Sequence, residues 1–311
     1  MTMRIAVTGA SGYIGLALLR YLDGQGHDII AFTRHATPAG TTRAQWRIKA
    51  DGQPEATDLL GCDAVVHLAG RAHTRLALQD GVDLFDQANH QLARATASAA
   101  KAAGVPRFVQ VSTLGVHGSW SADPITETSS LSGDTPYARS KIAAERELAA
   151  LLSEGGTRLT IVRPPMVYGA ACPGNFPRLI KLVKSGIPLP FGSVRGIRSF
   201  IHVDNLASFL TFCAAGPAAP GVYIAGDGSD FELPDLIRAI AAGIGAPARL
   251  LPFPPALLRV AAGAIGRQRE VDSLTRPMPV DWSKARAAGW TPPTAPARAL
   301  ADSLNSVSPA V

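Results

Sequence analysis

The sequence predicts an α/β protein: a doubly wound parallel sheet carrying a smaller C-terminal α/β lobe. Three observations lead there. Over the first half, short β-branched runs alternate with alanine-rich stretches of helical period, the pattern of β-α units winding a parallel sheet. A glycine-rich turn stands where the first of these runs passes into a helix. Beyond residue 163 the rhythm breaks, and Pro164, Pro165, Pro173, Pro177, Pro188 and Pro190 mark loops and short pieces instead of further long units.

Strands are expected over residues 4–8, 28–33, 63–68, 107–112 and 158–163, with a weaker one at 46–49. Helices fall between them at 12–22, 87–103 and 137–152. After the break, helical periodicity returns at 203–214, 233–242 and 255–265, short strands are expected at 199–201 and 222–225, and a last helix at 296–306 precedes a fraying tail. No internal repeat or low-complexity tract interrupts the pattern.

A chain of 311 residues with 47% hydrophobic content and mean hydropathy +0.13 can bury one large core or two smaller ones. The N-terminal apolar run Ile5-Ala6-Val7 is too short for a secretory signal, and no stretch offers the roughly 20 apolar residues that span a bilayer. A cytoplasmic protein with no membrane partner is expected. Cys62, Cys172 and Cys213 have no metal-ligand spacing, so no metal is expected. The net charge of +6 lacks basic runs interleaved with aromatics, which argues against nucleic acid. A solvated surface accounts for that total, as would an anionic small molecule.

The first strand runs into T-G-A-S-G-Y-I-G, which places Gly9, Gly12 and Gly15 at a strand-to-helix junction with Ser11, Tyr13 and Ile14 between them. The first glycine permits the tight turn, the second lets backbone approach a pyrophosphate, and the third lets helix pack on strand. The helix N-terminus then offers free N–H groups to phosphate. This is the dinucleotide-binding turn of a Rossmann sheet. At the end of the second strand a carboxylate would bind the adenosine ribose hydroxyls, but the sequence reads Ala31-Phe32-Thr33-Arg34-His35. A guanidinium pairs well with a 2′-phosphate, so Arg34 favours NADP(H), with NAD(H) the alternative.

Y-A-R-S-K sets Tyr137 and Lys141 four apart, on one helix face. A free tyrosine titrates near pH ~10, and a neighbouring ammonium is expected to lower that value so that the phenol can exchange a proton with a carbonyl or an alcohol. At the end of the strand over 107–112, in V-S-T-L-G-V-H-G, Thr113 or Ser112 can donate to the same substrate oxygen, because hydroxyls at the C-terminal edge of a parallel sheet face the ligand crevice.

The glycine turn, V-V-H-L-A-G at 65–70, Asn89, the Ser112-Thr113 pair, Y-x-x-x-K, R-P-P-M-V-Y-G at 163–169 and R-S-F-I-H-V-D-N-L-A at 198–207 together resemble an extended short-chain dehydrogenase/reductase of the nucleotide-sugar epimerase/dehydratase group. Within it the chain is most similar to UDP-glucose 4-epimerases and UDP-sugar 4-ketoreductases of bacterial surface-polysaccharide pathways. The resemblance implies that Thr113 is the catalytic hydroxyl, with Ser112 its neighbour. It lays Leu68, Ala69 and Gly70 along the cofactor, lets Lys141 hold the nicotinamide ribose, and puts Pro164 and Val167 beside the nicotinamide. Asn175 and Arg198 then meet the diphosphate of a UDP-sugar, with Arg276 or Arg269 a further candidate. His117 replaces a family tyrosine and is either a sugar contact or a partly exposed loop residue. Dehydratases of the group follow the hydroxyl with Asp-Glu; here Leu114 and Gly115 stand in those places, and neither moves a proton.

Residues 1–165 thus read as the dinucleotide-binding part carrying the catalytic groups, and 166–311 mainly as a substrate lobe with some segments returning to the first part. The expected reaction is NADPH-dependent C4 ketoreduction of a UDP-4-keto-hexose; the alternatives are a 4-epimerase and a non-enzymatic NADP sensor. The family's usual dimer, formed by the helices around 92–103 and 142–150, implies a homodimer.

Overall fold

The computed structural model describes residues 1–34, 42–72, 78–79, 82–264, 266 and 268–305. Its centre is a seven-stranded sheet formed by β1 (Arg4–Thr8), β2 (Asp28–Thr33), β3 (Gln45–Ile48), β4 (Ala64–His67), β5 (Arg107–Val111), β6 (Arg158–Arg163) and β9 (Gly221–Ile224). The spatial order is β9-β6-β5-β4-β1-β2-β3, and every pairing is parallel. This is a Rossmann sheet, whose strand order reverses between β1 and β4 and opens a crevice at their carboxyl ends.

Both faces of the sheet are buried, and the period-2 alternation of side chains divides them. Ile5 and Val7 of β1 join Ile29, Ala31, Val66 and Val109 beneath α1 (Tyr13–Gly24) and α5 (Val203–Ala215). Ala6, Ile30, Phe32, Val65 and Phe108 face the other way, under α2 (Leu92–Ala102) and α3 (Pro136–Leu151). Parallel strands covered on both faces read as continuous apolar runs, which is why the sequence announces them.

A second core lies beyond the crevice. Three strands, β7 (Met166–Tyr168), β8 (Arg198–His202) and β10 (Ser229–Phe231), form a small sheet in the order β10-β8-β7. Its Tyr168 and Phe200 pack with Phe176 and Ile180 of α4 (Asn175–Lys184), Ile237 and Ile240 of α6 (Leu233–Gly243), and Leu300 and Leu304 of α10 (Pro296–Asn305). The remaining α-helices among the described residues are α7 (Pro255–Ala264), α8 (Gln268–Thr275) and α9 (Ser283–Ala287).

One element differs from its sequence pattern, and two expected strands are placed by their pairing. The helix expected from residue 87 opens as a π-turn over Asp86–Gln91 before α2 begins, and it buries Asn89 inside the wider turn. The strand at 221–224 extends the large sheet by pairing with β6, a segment that returns from the second part to the first. The weak strand near residue 46 exists as an edge strand paired with β2. The expected helix ends at 265 and 306 fall outside the described residues.

Phe209 of α5 is 0% exposed and packs edge-on at 4.9 Å from Trp290 and 5.9 Å from Tyr223. Phe209→Ala leaves a cavity between α5 and the sheet, and is expected to lower unfolding free energy by about 3–5 kcal/mol in urea denaturation.

Candidate active site

Gly9 takes the left-handed conformation, φ +66°, and a Cβ there would stand 2.7 Å from the Ala69 nitrogen. At Gly15 a Cβ would stand 2.4 Å from the Gly9 carbonyl oxygen. Gly12 is the N-cap of α1 and brings no side chain to cover the helix N-terminus. The turn is therefore a cradle that any side chain would fill, at the positive end of a helix, and it suits a pyrophosphate. Ser11 reaches across to Thr33, with hydroxyls 3.0 Å apart. A cavity of about 560 Å³ opens here, lined by Gly9, Ser11, Gly12, Leu68, Ala69 and Gly70 on the turn side and by Arg34 and Asp51 at its far end.

Arg34 is exposed, and its aliphatic stem lies over Gly52, where a Cβ would come 3.0 Å from Arg34 Cγ. Asp51, which follows the short edge strand β3, supplies a carboxylate to the same cavity that the sequence reading missed. Nothing in the local pattern distinguished it from a turn aspartate.

A second cavity, about 650 Å³, continues from the glycine turn past Tyr13, Ile14 and Gly15 to Thr113, Tyr137 and Lys141, with Pro164 and Val167 along one wall. Thr135 caps α3 by accepting the Ala138 N–H, and Pro136 starts the helix, so Tyr137 sits in its first turn at the cleft wall. The Thr113 hydroxyl faces the Tyr137 phenol and interacts with it. Thr113 Oγ1 also accepts the Gly115 N–H at 3.2 Å, and this leaves its own proton free to donate. Ser112, by contrast, donates its proton to Glu145 Oε1.

Lys141 is 6% exposed and donates to the Val111 carbonyl at 3.0 Å. A Cβ on Gly70 would lie 2.6 Å from Asn89 Oδ1 and 3.4 Å from Lys141 Nζ, so glycine at 70 keeps open the space these two groups face. Asn89 is fixed there by bonds to the Arg71 backbone and to Ser140 Oγ. Burial lowers the Lys141 ammonium to about 8, against an opposing pull from Glu145. Burial pushes the Tyr137 phenol up, and the Thr113 hydroxyl works against that. The expectation that Lys141 lowers the tyrosine is thus corrected: in this structure the ammonium points to the strand backbone, and Tyr137 stays protonated at neutral pH.

Behind these groups lies a buried ion pair. Arg163, at the end of β6, donates to both Glu145 oxygens, through Nε at 3.1 and 3.2 Å and through Nη2 at 2.6 Å. His117 is 7% exposed; its Nδ1 lies 3.1 Å from the Ser130 carbonyl and its Nε2 3.2 Å from Arg163 Nη1. Burial lowers its pKa, so a neutral ring donates from Nδ1 and accepts at Nε2. The reading of His117 as a partly exposed loop residue is corrected, and its ring does not line the cleft.

Across the cleft, Asn175 begins α4 after Gly174, whose φ of +93° turns the chain into the helix. Arg198 starts β8 and borders the same space, with Nη1 donating to the Arg276 carbonyl at 2.7 Å. No carboxylate among the described residues pairs with it, and burial lowers its pKa to about 10. Arg276 itself stacks on Trp120, 3.8 Å from the ring centroid, and Arg269's side chain lies outside the described residues. Asp134 is the one carboxylate among the described residues lining this cleft. Leu114 is buried and Gly115 has no side chain, so the acid-base pair that water elimination needs is not assembled beside Thr113.

A glycine cradle joined to a Tyr/Lys helix on a Rossmann sheet defines a dinucleotide-dependent oxidoreductase. The NAD dependent epimerase/dehydratase family model matches residues 5–226, and the chain belongs to that family of extended short-chain dehydrogenases/reductases. It is 31% identical over 302 residues to a UDP-glucose 4-epimerase of Vibrio cholerae, covering 94% of this chain and 92% of that one. It is 32% identical over 308 residues to a ceramide reductase of Caulobacter vibrioides, covering 94% and 87%. The fold is shared with MoeE5 in complex with UDP-glucose and NAD, at TM-score 0.77, 22% identity and 98% coverage of both chains.

Turnover is expected to fall above about pH 8 in kcat/KM, as the Lys141 cation, present below its pKa, is lost. Glu145→Gln removes the group that raises Lys141, so the break should move to lower pH; an unmoved break in a folded variant, checked by thermal melting, refutes the coupling.

Proposed function

We propose that this chain is an NADPH-dependent reductase that converts a UDP-4-keto-hexose to the 4-hydroxy sugar, in the supply of surface polysaccharide. The observation that carries the reading is the pairing of a protonated Tyr137 with the free proton of Thr113, in a cleft whose far wall holds Asn175 and the unpaired cation Arg198. A nicotinamide dinucleotide held by the turn at Gly9, Gly12 and Gly15 supplies the hydride when bound. Tyr137 Oη gives its proton to the C4 oxygen as that oxygen gains charge, and Thr113 donates a hydrogen bond to the same atom. Lys141 and Asn89 orient the ribose side of the site, and Arg198 with Asn175 takes the diphosphate. With Asp134 as the cleft's one carboxylate among the described residues, carbonyl reduction fits better than dehydration. Arg34 at the rim of the first cavity suits a 2′-phosphate.

A second reading, 4-epimerisation with one retained NAD, draws on the Vibrio cholerae relative and on Asp51, a carboxylate in the cofactor cavity. We place the homodimer contact on α2 and α3, whose small alanine side chains suit close packing.

Consumption of NADPH with a UDP-4-keto-hexose, reduced about 10²- to 10⁴-fold by Tyr137→Phe, is the expected result. Interconversion of UDP-glucose and UDP-galactose without added cofactor would instead establish the epimerase. Arg34→Asp should weaken NADPH binding at least tenfold while sparing NADH, a loss of roughly 1.4 kcal/mol or more.

A further inference from the structure

The positive charge of this protein is not evenly placed. Residues 155–203 and 236–269 contain none of the chain's 24 Asp and Glu but 12 of its 30 Lys and Arg, so the remainder of the chain has a net charge of −6. Apart from β6, which carries Arg158 and the ion-paired Arg163, both stretches belong to the half of the molecule built around the small sheet, and part of their charge serves the cleft through Arg198. Arg178, Lys181 and Lys184 on α4, with Arg249 and Arg259, do not line the cleft. Their side chains have no ion-pair or hydrogen-bond partner among the described residues. Substrate phosphates do not account for them.

Exposed apolar side chains adjoin the end of α4. Of the ten exposed large hydrophobic side chains among the described residues, four fall within residues 251–260: Leu251 at 52%, Phe253 at 38%, Leu257 at 54% and Val260 at 71%. Ile187, exposed by 51%, adjoins them, because the chain after α4 pairs with the segment before α7: Leu189 N–H donates to the Arg249 carbonyl and Leu251 N–H to the Leu189 carbonyl. Helix α7 packs against α8 and buries Ala262, while Leu257, Val260, Ala261 and Ala264 face outward. A surface helix normally turns its polar face to water; this one turns an apolar face outward and carries no acidic residue.

We propose that α7, the segment 249–253 and the exposed face of α4 form a docking surface for an anionic phospholipid bilayer. Leu257, Val260, Phe253 and Leu251 enter the headgroup boundary, and Arg178, Lys181, Lys184 and Arg249 meet lipid phosphates. Charge complementarity selects this occupant. A second copy meeting the same patch across a two-fold axis sets like charges against each other. A nucleic acid pairs with the arginines but leaves Leu257 and Val260 in water. No helix among the described residues is long and apolar enough to cross a membrane, so the contact is peripheral. The expectation of no membrane partner rested on the short N-terminal apolar run and on spanning length, and neither registers a patch of this kind.

The test is flotation of the full chain with phosphatidylcholine vesicles, with and without phosphatidylglycerol. Binding to the anionic vesicles alone is expected. It should fall at least about tenfold in Leu257→Asp/Val260→Asp and comparably in Arg178→Glu/Lys181→Glu/Lys184→Glu. Both variants should keep wild-type melting temperature and NADPH affinity, which separates loss of docking from loss of fold. No binding to either vesicle overturns the proposal, as does binding that the Leu257/Val260 variant leaves intact. A drop to half mass in that variant by analytical ultracentrifugation, with no vesicle binding by the wild type, assigns the patch to a second copy. Displacement of the vesicles by duplex DNA, with the Leu257/Val260 variant unaffected, assigns it to nucleic acid.

Discussion

The buried pair between Glu145 and Arg163 is the contact on which the rest of the site is hung. Each residue is about 4% exposed, and together they join α3, the end of β6 and, through Ser112, the end of β5. Lys141 lies one turn before Glu145 on α3, Thr113 follows Ser112, and Pro164 follows Arg163. One ion pair thus fixes the separation of the three elements that present the phenol, the hydroxyl and the nicotinamide wall. Breaking such a pair by removing one partner costs about 3–5 kcal/mol, because the other charge is left buried without compensation. His117 Nε2 and the Glu127 carbonyl accept from the other end of the guanidinium, at Nη1.

The same pair clarifies the protonation pattern of the cleft. Burial disfavours the Lys141 charge, and Glu145 opposes that loss. Tyr137 has no such neighbour, so burial keeps its proton on. A cleft with a protonated phenol beside a buried ammonium is prepared to give a proton before it takes one. That asymmetry suits reduction of a ketone.

The sequence made the local pieces legible and hid the distant ones. β1, the glycine turn and α1 follow from a strand of apolar residues, three glycines and a 3.6-residue period, all within residues 4–24. Tyr137 and Lys141 were legible because a helix makes four-residue spacing into a shared face, although what each group touches there was not. Glu145 and Arg163 are 18 residues apart and His117 and Arg163 are 46 apart, so their pairing leaves no periodic trace. Asp51 follows a four-residue edge strand and looks like any turn residue. The outward apolar face of α7 was hidden for another reason: its periodicity is that of an ordinary buried face, and only packing reveals which side is left uncovered.

The return of residues 221–224 to the large sheet has a bearing on modularity. The chain leaves the Rossmann layer after β6, builds β7, α4 and β8, re-enters with α5 and β9, and departs again for β10 and α6. Cutting after β6 would therefore strip the sheet of β9 and α5, bare the edge of β6, and open an apolar face that α5 now covers. The two cores are woven together by repeated crossings, not strung in series. Exchange of substrate preference in such a chain has to proceed by changing loops and pocket side chains in place, since no single cut frees one core from the other.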